Sequence, residues 1–345
     1  MNRPNLFSYA TSELSQDAFI CWLLCWAHDE FSVTDGEMHS CARQFLSAIF
    51  EKKSLTLPKK IKNLTVTKQD YGIDVLCVIN KEYAVIIEDK TWTHDHSDQL
   101  KRYYDNIISR GFSKDKVVSI YYKSEDQSNY DRVNEYGYYQ ITRSEMIGIL
   151  SSYQGDNGIL LDYLRYLEHK EMAVMRFSYT PVVDWDYYCW VGFYKCLQEN
   201  FDGDWDYVAN PSGGFIGFWW HFNYGDDCDR YIQLEENKLC FKIAVNKNDG
   251  KRSLRNKWNF FIMQAAKELN VSIGVCKPLR FGSGMYMTVG ISDRDYLITD
   301  SEGILNFKST VSTLRDAELI LNNAISYEEM QRNRDLINVF GDLSG

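Results

Sequence analysis

Ile73-Asp74-Val75-Leu76-Cys77-Val78-Ile79-Asn80-Lys81-Glu82-Tyr83-Ala84-Val85-Ile86-Ile87-Glu88-Asp89-Lys90 holds two apolar runs on either side of a short polar turn. The runs read as two strands of one hairpin. If Asn80-Lys81-Glu82 is a three-residue loop, Ile79 pairs with Tyr83, and Asp74 lies directly opposite Glu88. Opposed residues share a face, with Cβ atoms about 4.5–5.5 Å apart. Lys90 joins that face because strand side chains alternate with period two. A two-residue loop would instead set Asp74 against Asp89, so the length of the turn decides the chemistry.

Two carboxylates this close repel unless a cation neutralises them, and hard oxygen ligands select Mg²⁺ or Mn²⁺. Mg²⁺ keeps several waters and leaves room for a substrate phosphate oxygen. Such a metal lowers the pKa of its water and offsets charge on a reacting phosphate. Lys90 is placed to orient or deprotonate that water, or to stabilise the developing charge. The plainer reading of the same residues is a charged strand end that forms surface salt bridges.

The segment resembles the PD-(D/E)xK nuclease superfamily, with Asp74 as the first acid and Glu88-Asp89-Lys90 as the ExK triplet. Ile73 stands where the usual proline would be. Downstream, Gln99-Leu-Lys-Arg-Tyr103 is similar to the QxxxY element of the RecB-like exonuclease branch. Upstream, Leu6-Phe-Ser-Tyr-Ala-Thr-Ser-Glu13-Leu-Ser-Gln-Asp-Ala-Phe19 resembles the opening of one bacterial branch. The likeness covers roughly residues 5–125. It implies a restriction-endonuclease-like fold and metal-assisted hydrolysis of DNA. Glu13, Asp74 and Glu88 would bind metal together with the backbone carbonyl of Asp89. Lys90 would serve the water or phosphate, Gln99 would position water or DNA, and Tyr103 would lie near the nucleic acid. DNA as partner comes from the resemblance and from no residue here.

Outward from the hairpin, helical spacing of Leu14, Ala18, Cys21, Trp22 and Cys25 predicts a first helix that a serine at its start can cap. A second helix is predicted over 39–51 and a strand over 64–68. Beyond the hairpin come a helix over 97–109, strands over 117–122 and 138–142, and a helix over 158–171. This order makes a mixed central sheet flanked by helices, an α/β domain over 1–176. Thr180-Pro181 marks the change to a smaller α+β domain over 177–345. There, helices over 186–199 and 254–269 and strands over 231–235, 239–245 and 285–291 are predicted. Gly213-Gly-Phe-Ile-Gly-Phe-Trp-Trp lacks the Lys-Ser/Thr ending of a phosphate-cradling loop and reads as sheet in a tight bend.

Bulk properties narrow the classes. The 345 residues are 45% hydrophobic and 25% charged, a globular composition. The start of the chain lacks the basic stretch and apolar run of a secretory signal, and a cytoplasmic protein is expected. Nine cysteines without a CxxC pair fit neither a disulfide framework nor a zinc site, and Cys21 and Cys25 read as two buried thiols. His94 and His96 read as polar loop residues. No serine or cysteine nucleophile has a recognisable base.

Net charge is −10, but basic residues cluster. Six lysines and no acid lie within 52–69, and seven basic residues against one acid within 238–257. Lys251, Arg252 and Arg255 in the second run are candidate nucleic-acid contacts. The rival to a nuclease is an inactive binding or regulatory module on the same fold, or a protein-interaction subunit acting through the Trp-rich second half.

Overall fold

The computed structural model describes residues 4–91, 98–210, 213–245 and 250–341, with side chains described through 334. His94 and His96 lie outside the described residues. The chain divides into two compact units, Met1–Ala173 and Val174–Gly345.

In the first unit the elements run α1 (Glu13–Cys25), α2 (Gly36–Lys52), β1 (Leu64–Asp70), β2 (Ile73–Ile79), β3 (Tyr83–Lys90), α3 (Gln99–Ser109), β4 (Val117–Lys123), α4 (Asp131–Glu135), β5 (Tyr139–Thr142), α5 (Arg143–Leu150) and α6 (Gly158–Met175). The strands form one sheet in sequence order. β1, β2 and β3 are antiparallel, and β3, β4 and β5 are parallel. The mixed sheet with flanking helices is the expected architecture. Val85, Ile87, Val118 and Ile120 pack with apolar residues of α1, α2, α5 and α6. Ala84, Ile86, Val117 and Tyr121 pack with Leu100 and Ile107 of α3.

The hairpin carries the three-residue turn: Ile79 pairs with Tyr83, and the ladder runs back to Val75 against Ile87. One further step sets Asp74 against Glu88. Asn80 and Lys81 hold left-handed backbone, at φ 52° and 57°. The Asn80 side chain fixes the turn to the chain entering β1. Its Oδ1 accepts from the N–H groups of Lys62 and Asn63, and its Nδ2 donates to the Lys60 carbonyl at 2.8 Å.

α1 departs from its expected orientation. Its buried residues are Gln16, Asp17, Phe19, Ile20, Leu23 and Leu24. Leu14 and Ala18 are exposed, Cys21 is half-buried and Cys25 exposed, so the pair of buried thiols is not found. The helix turns a stripe with two polar members inward because those members have partners on the sheet, described below. Ser12 makes no side-chain capping bond to the helix; its hydroxyl lies 3.0 Å from that of Ser15.

The second unit contains α7 (Tyr187–Gln198), β6 (Gly203–Val208), β7 (Phe215–Asn223), β8 (Asp229–Glu235), β9 (Lys238–Ala244), α8 (Lys251–Glu268), β10 (Val275–Cys276), β11 (Tyr286–Ser292) and α9 (Phe307–Gly341). Its antiparallel sheet has the order β10-β11-β9-β8-β7-β6. One face packs with Trp190, Phe193 and Tyr194 of α7, Trp258 and Phe261 of α8, and Leu314 and Ile320 of α9. β6 and α9 are elements that the spacing analysis did not reach. Gly213 and Gly214 take positive φ, 121° and 95°, just before β7, and the remainder of the cluster lies in that strand, as the reading of sheet residues beside a bend expects. No described helix is long and apolar enough to cross a membrane.

Candidate active site

The hairpin register delivers Asp74, Glu88 and Lys90 to one place. Lys90 Nζ lies 2.5 Å from Glu88 Oε1 and 3.8 Å from Asp74 Oδ2. Gln99, the first residue of α3, donates from Nε2 to Glu88 Oε1 at 2.9 Å and to the Tyr103 hydroxyl at 2.8 Å. Tyr103 stands one turn along the same helix and is half-buried against the α3 face of the sheet. Two neighbours therefore hold Oε1 of Glu88, whereas Oε2 is buried and has no hydrogen-bond partner among the described residues.

Burial is the main influence on Glu88. Desolvation, joined by the negative charge of Asp74, pushes its carboxyl from 4.5 up to about 8, against the opposing pull of Lys90. For Lys90, burial favours the neutral amine, but the carboxylates of Glu88 and Asp74 outweigh it and raise the ammonium above its usual value. A lysine so held stays charged at neutral pH.

Asp89 occupies the opposite face of β3. It is fully buried, and Oδ1 accepts from Gln16 of α1. Gln16 Oε1 accepts in turn from the Tyr163 hydroxyl at 3.0 Å, which lies 2.8 Å from that of Tyr122. Burial and the charge of Asp17 hold Asp89 well above the usual carboxylate range. Burial and Asp74 raise Asp17 to about 6. Gln69 reaches between Asp17 and Asp74, at 3.4 and 2.9 Å, and the Asp89 N–H donates to Asp74 Oδ2 at 3.0 Å. The charge of Asp74 thus acts on Glu88 and also on Asp17 and Asp89.

Whether these residues fit a divalent cation can be asked of the donor set itself. Glu88 offers a buried carboxylate oxygen, unpartnered among the described residues, beside a second carboxylate, and both are hard donors of the kind Mg²⁺ accepts with water filling the rest. That fits a cation held by one or two side chains. Among the described residues no group of three or more His, Cys, Asp or Glu is placed to hold a metal ion. Glu13 directs Oε1 to the N–H and hydroxyl of Thr91, at 2.9 and 3.2 Å, and so secures the chain just after Lys90.

The model of the PD-(D/E)XK nuclease superfamily matches residues 4–192, more than half of the chain. The chain belongs to this superfamily. No curated protein and no solved structure matches it. The superfamily match names no branch, so Gln99 and Tyr103 stand on their geometry alone.

Within this PD-(D/E)XK unit the sequence analysis missed Gln16, Asp17, Gln69 and Thr91. Glu13, Gln16 and Asp17 sit at i, i+3 and i+4 on α1, which places them on one helical face. That polar spacing was the available signal for two of the four. The expected contacts Lys251, Arg252 and Arg255 lie in the second unit, in the first turns of α8.

Proposed function

We propose that this chain is a nuclease that hydrolyses DNA phosphodiester bonds with the help of Mg²⁺ or Mn²⁺. The observation that carries the reading is the buried Glu88 carboxylate, its Oε2 without a hydrogen-bond partner among the described residues, beside Asp74 and Lys90 in a member of a nuclease superfamily. Asp74, Glu88 and the main-chain carbonyl of Asp89 would hold the cation. When bound, the cation supplies Lewis acidity toward the phosphate and a more acidic water. Glu88 must lose its proton to serve as a ligand, and Gln99 keeps its Oε1 fixed so that Oε2 is the oxygen left to bind. Lys90, with its raised pKa, is a poor base; its ammonium instead offsets negative charge that builds on the phosphate oxygens as water attacks and the P–O bond breaks. Glu13 supports the site by tying down Thr91.

The test is cleavage of supercoiled, linear and single-stranded DNA with Mg²⁺ or Mn²⁺. Excess EDTA should abolish cleavage, and Asp74→Ala and Lys90→Ala should each lower it by at least about a hundredfold, the lower range for a group that stabilises transition-state charge. Full activity in EDTA, or in both variants, overturns the proposal.

A further inference from the structure

From Gly250 to Ser292 the sequence carries seven basic residues and one acid, Glu268, in a chain of net charge −10. The structure gathers five of the seven. Lys251, Arg252 and Arg255 lie on the first two turns of α8, and Lys277 and Arg280 on the loop between β10 and β11. That loop is clamped to the helix. Arg255 Nη1 donates to the Gly282 carbonyl at 2.8 Å, and its guanidinium stands 4.6 Å from the centre of the Phe281 ring. Lys277 Nζ lies 4.9 Å from the same ring. Phe281 thus holds two cations that would otherwise repel each other.

Among the described residues, none of the five makes an ion pair. By contrast, Lys257 farther along the helix pairs with Glu328 at 2.7 Å. Half of the other lysine-rich run is taken up inside the first unit. Lys52 pairs with Glu145, Lys53 donates to the Val117 carbonyl, and Lys68 donates to that of Leu14. In the second unit, Arg255 alone of the five makes a side-chain hydrogen bond among the described residues. Two further features suit a strand of nucleotides. The helix begins at Gly250 with no side-chain cap on its first N–H groups, so its positive end faces the same cluster. Phe260, 61% exposed, continues the stripe from Arg252 through Asn256 and presents a ring on which a base can stack.

We propose that the first turns of α8 and the loop bearing Lys277 and Arg280 form a docking surface for the phosphate backbone of DNA, with Arg255 and Phe281 as its internal brace. The choice of DNA among polyanions rests on the proposed nuclease activity; the surface itself rests on the cluster. The experiment uses the full chain, a fluorescent DNA duplex, and EDTA so that nothing is cut. Affinity should fall with salt, with a slope of about 0.9 log units per tenfold salt for each phosphate neutralised. The triple variant Lys251→Ala/Arg252→Ala/Arg280→Ala should bind more weakly and lose up to about 2.7 of that slope. The side chains of these three make no hydrogen bond among the described residues, so the fold should survive; if it does not, Arg280→Glu alone must weaken binding and lose at least about 0.9 of the slope. Arg255→Lys keeps the charge but not the fork that grips Gly282, and should weaken binding with little change in slope. An unchanged slope in the triple variant overturns the surface, as does binding to phosphatidylserine vesicles but not to duplex. With Mg²⁺ restored, the triple variant should need more DNA than the wild type to reach half of its own maximal cleavage rate. A chain that binds DNA through this surface but cuts none refutes the proposed activity and leaves the surface standing.

Discussion

Glu88 is the residue on which the site turns, because its surroundings favour a proton that a cation must displace. Its carboxyl rises from 4.5 to about 8 on folding, so between those values the folded chain holds a proton that the unfolded chain has released. The contribution to stability is full below about pH 4.5 and is lost as pH rises through about 8. Metal-free protein should therefore melt at progressively lower temperature from pH 5 to pH 8.5. Asp17 and Asp89 act in the same direction, so Glu88→Gln should flatten the profile without abolishing it. Parallel profiles for wild type and variant would remove Glu88 as a major source of the dependence. At this scale the sequence was partly readable. Asp74, Glu88 and Lys90 follow from alternation and a turn length. Gln16 and Asp17 were hidden because apolar spacing pointed to the opposite side of α1, where Leu14 and Ala18 lie exposed. A buried polar residue is recognisable only with its partner, and the partners Asp89, Gln69 and Tyr163 are far away in sequence.

At the scale of elements, the β2–β3 hairpin is the part whose geometry the site cannot do without. Asn80 adopts a left-handed backbone that asparagine tolerates better than most residues, and its amide makes three bonds to the chain entering β1. Asn80→Ala should cost about 2 kcal/mol in denaturant unfolding, from the lost bonds and the added backbone strain. Asn80→Gly relieves the strain but not the bonds and should fall between wild type and alanine. Equal stability of all three would show that the turn is held by its strands alone. The hairpin, α2 and α3 were legible because each combines one clear period with a turn or cap beside it. α2 begins after Asp35, whose carboxylate accepts from the Met38 N–H at 3.0 Å. α9 was not reached. Leu314, Ala317, Ile320, Leu321, Ala324 and Ile325 do keep helical spacing. The adjoining pair Asn322-Asn323 and the charged run beyond dilute that pattern.

For the whole molecule, the decisive quantity is the coupling between cation binding and folding. A ligand that binds only the native state stabilises it, by about 2.7 kcal/mol at a hundred times its dissociation constant. Mg²⁺ or Mn²⁺ should raise the melting temperature of the wild type at pH 8 and leave that of Asp74→Ala unmoved. An equal shift in both would mean the cation binds elsewhere. The overall acidity of the chain conceals its local charge. A net charge of −10 coexists with a compact set of five cations, since a sum over the chain says nothing about where charges meet. The loop carrying Lys277 and Arg280 illustrates the difficulty. Its contact with α8 spans more than twenty residues of sequence and rests on the Phe281 ring and the Gly282 carbonyl, both met by Arg255.

The turn at residues 80–82 also limits how this lineage can drift in length. Surface turns are where chains ordinarily accept insertions and deletions. A slip of β3 by one position against β2 would bring Asp89 opposite Asp74 and carry Glu88 and Lys90 to the wrong side of the sheet, so a change of length here is tolerated only where Ile79 keeps Tyr83 as its partner. Such a slip would be as damaging as replacement of either carboxylate, although both would remain in the chain. What descends unchanged in this hairpin must therefore be a spacing as well as a set of residues.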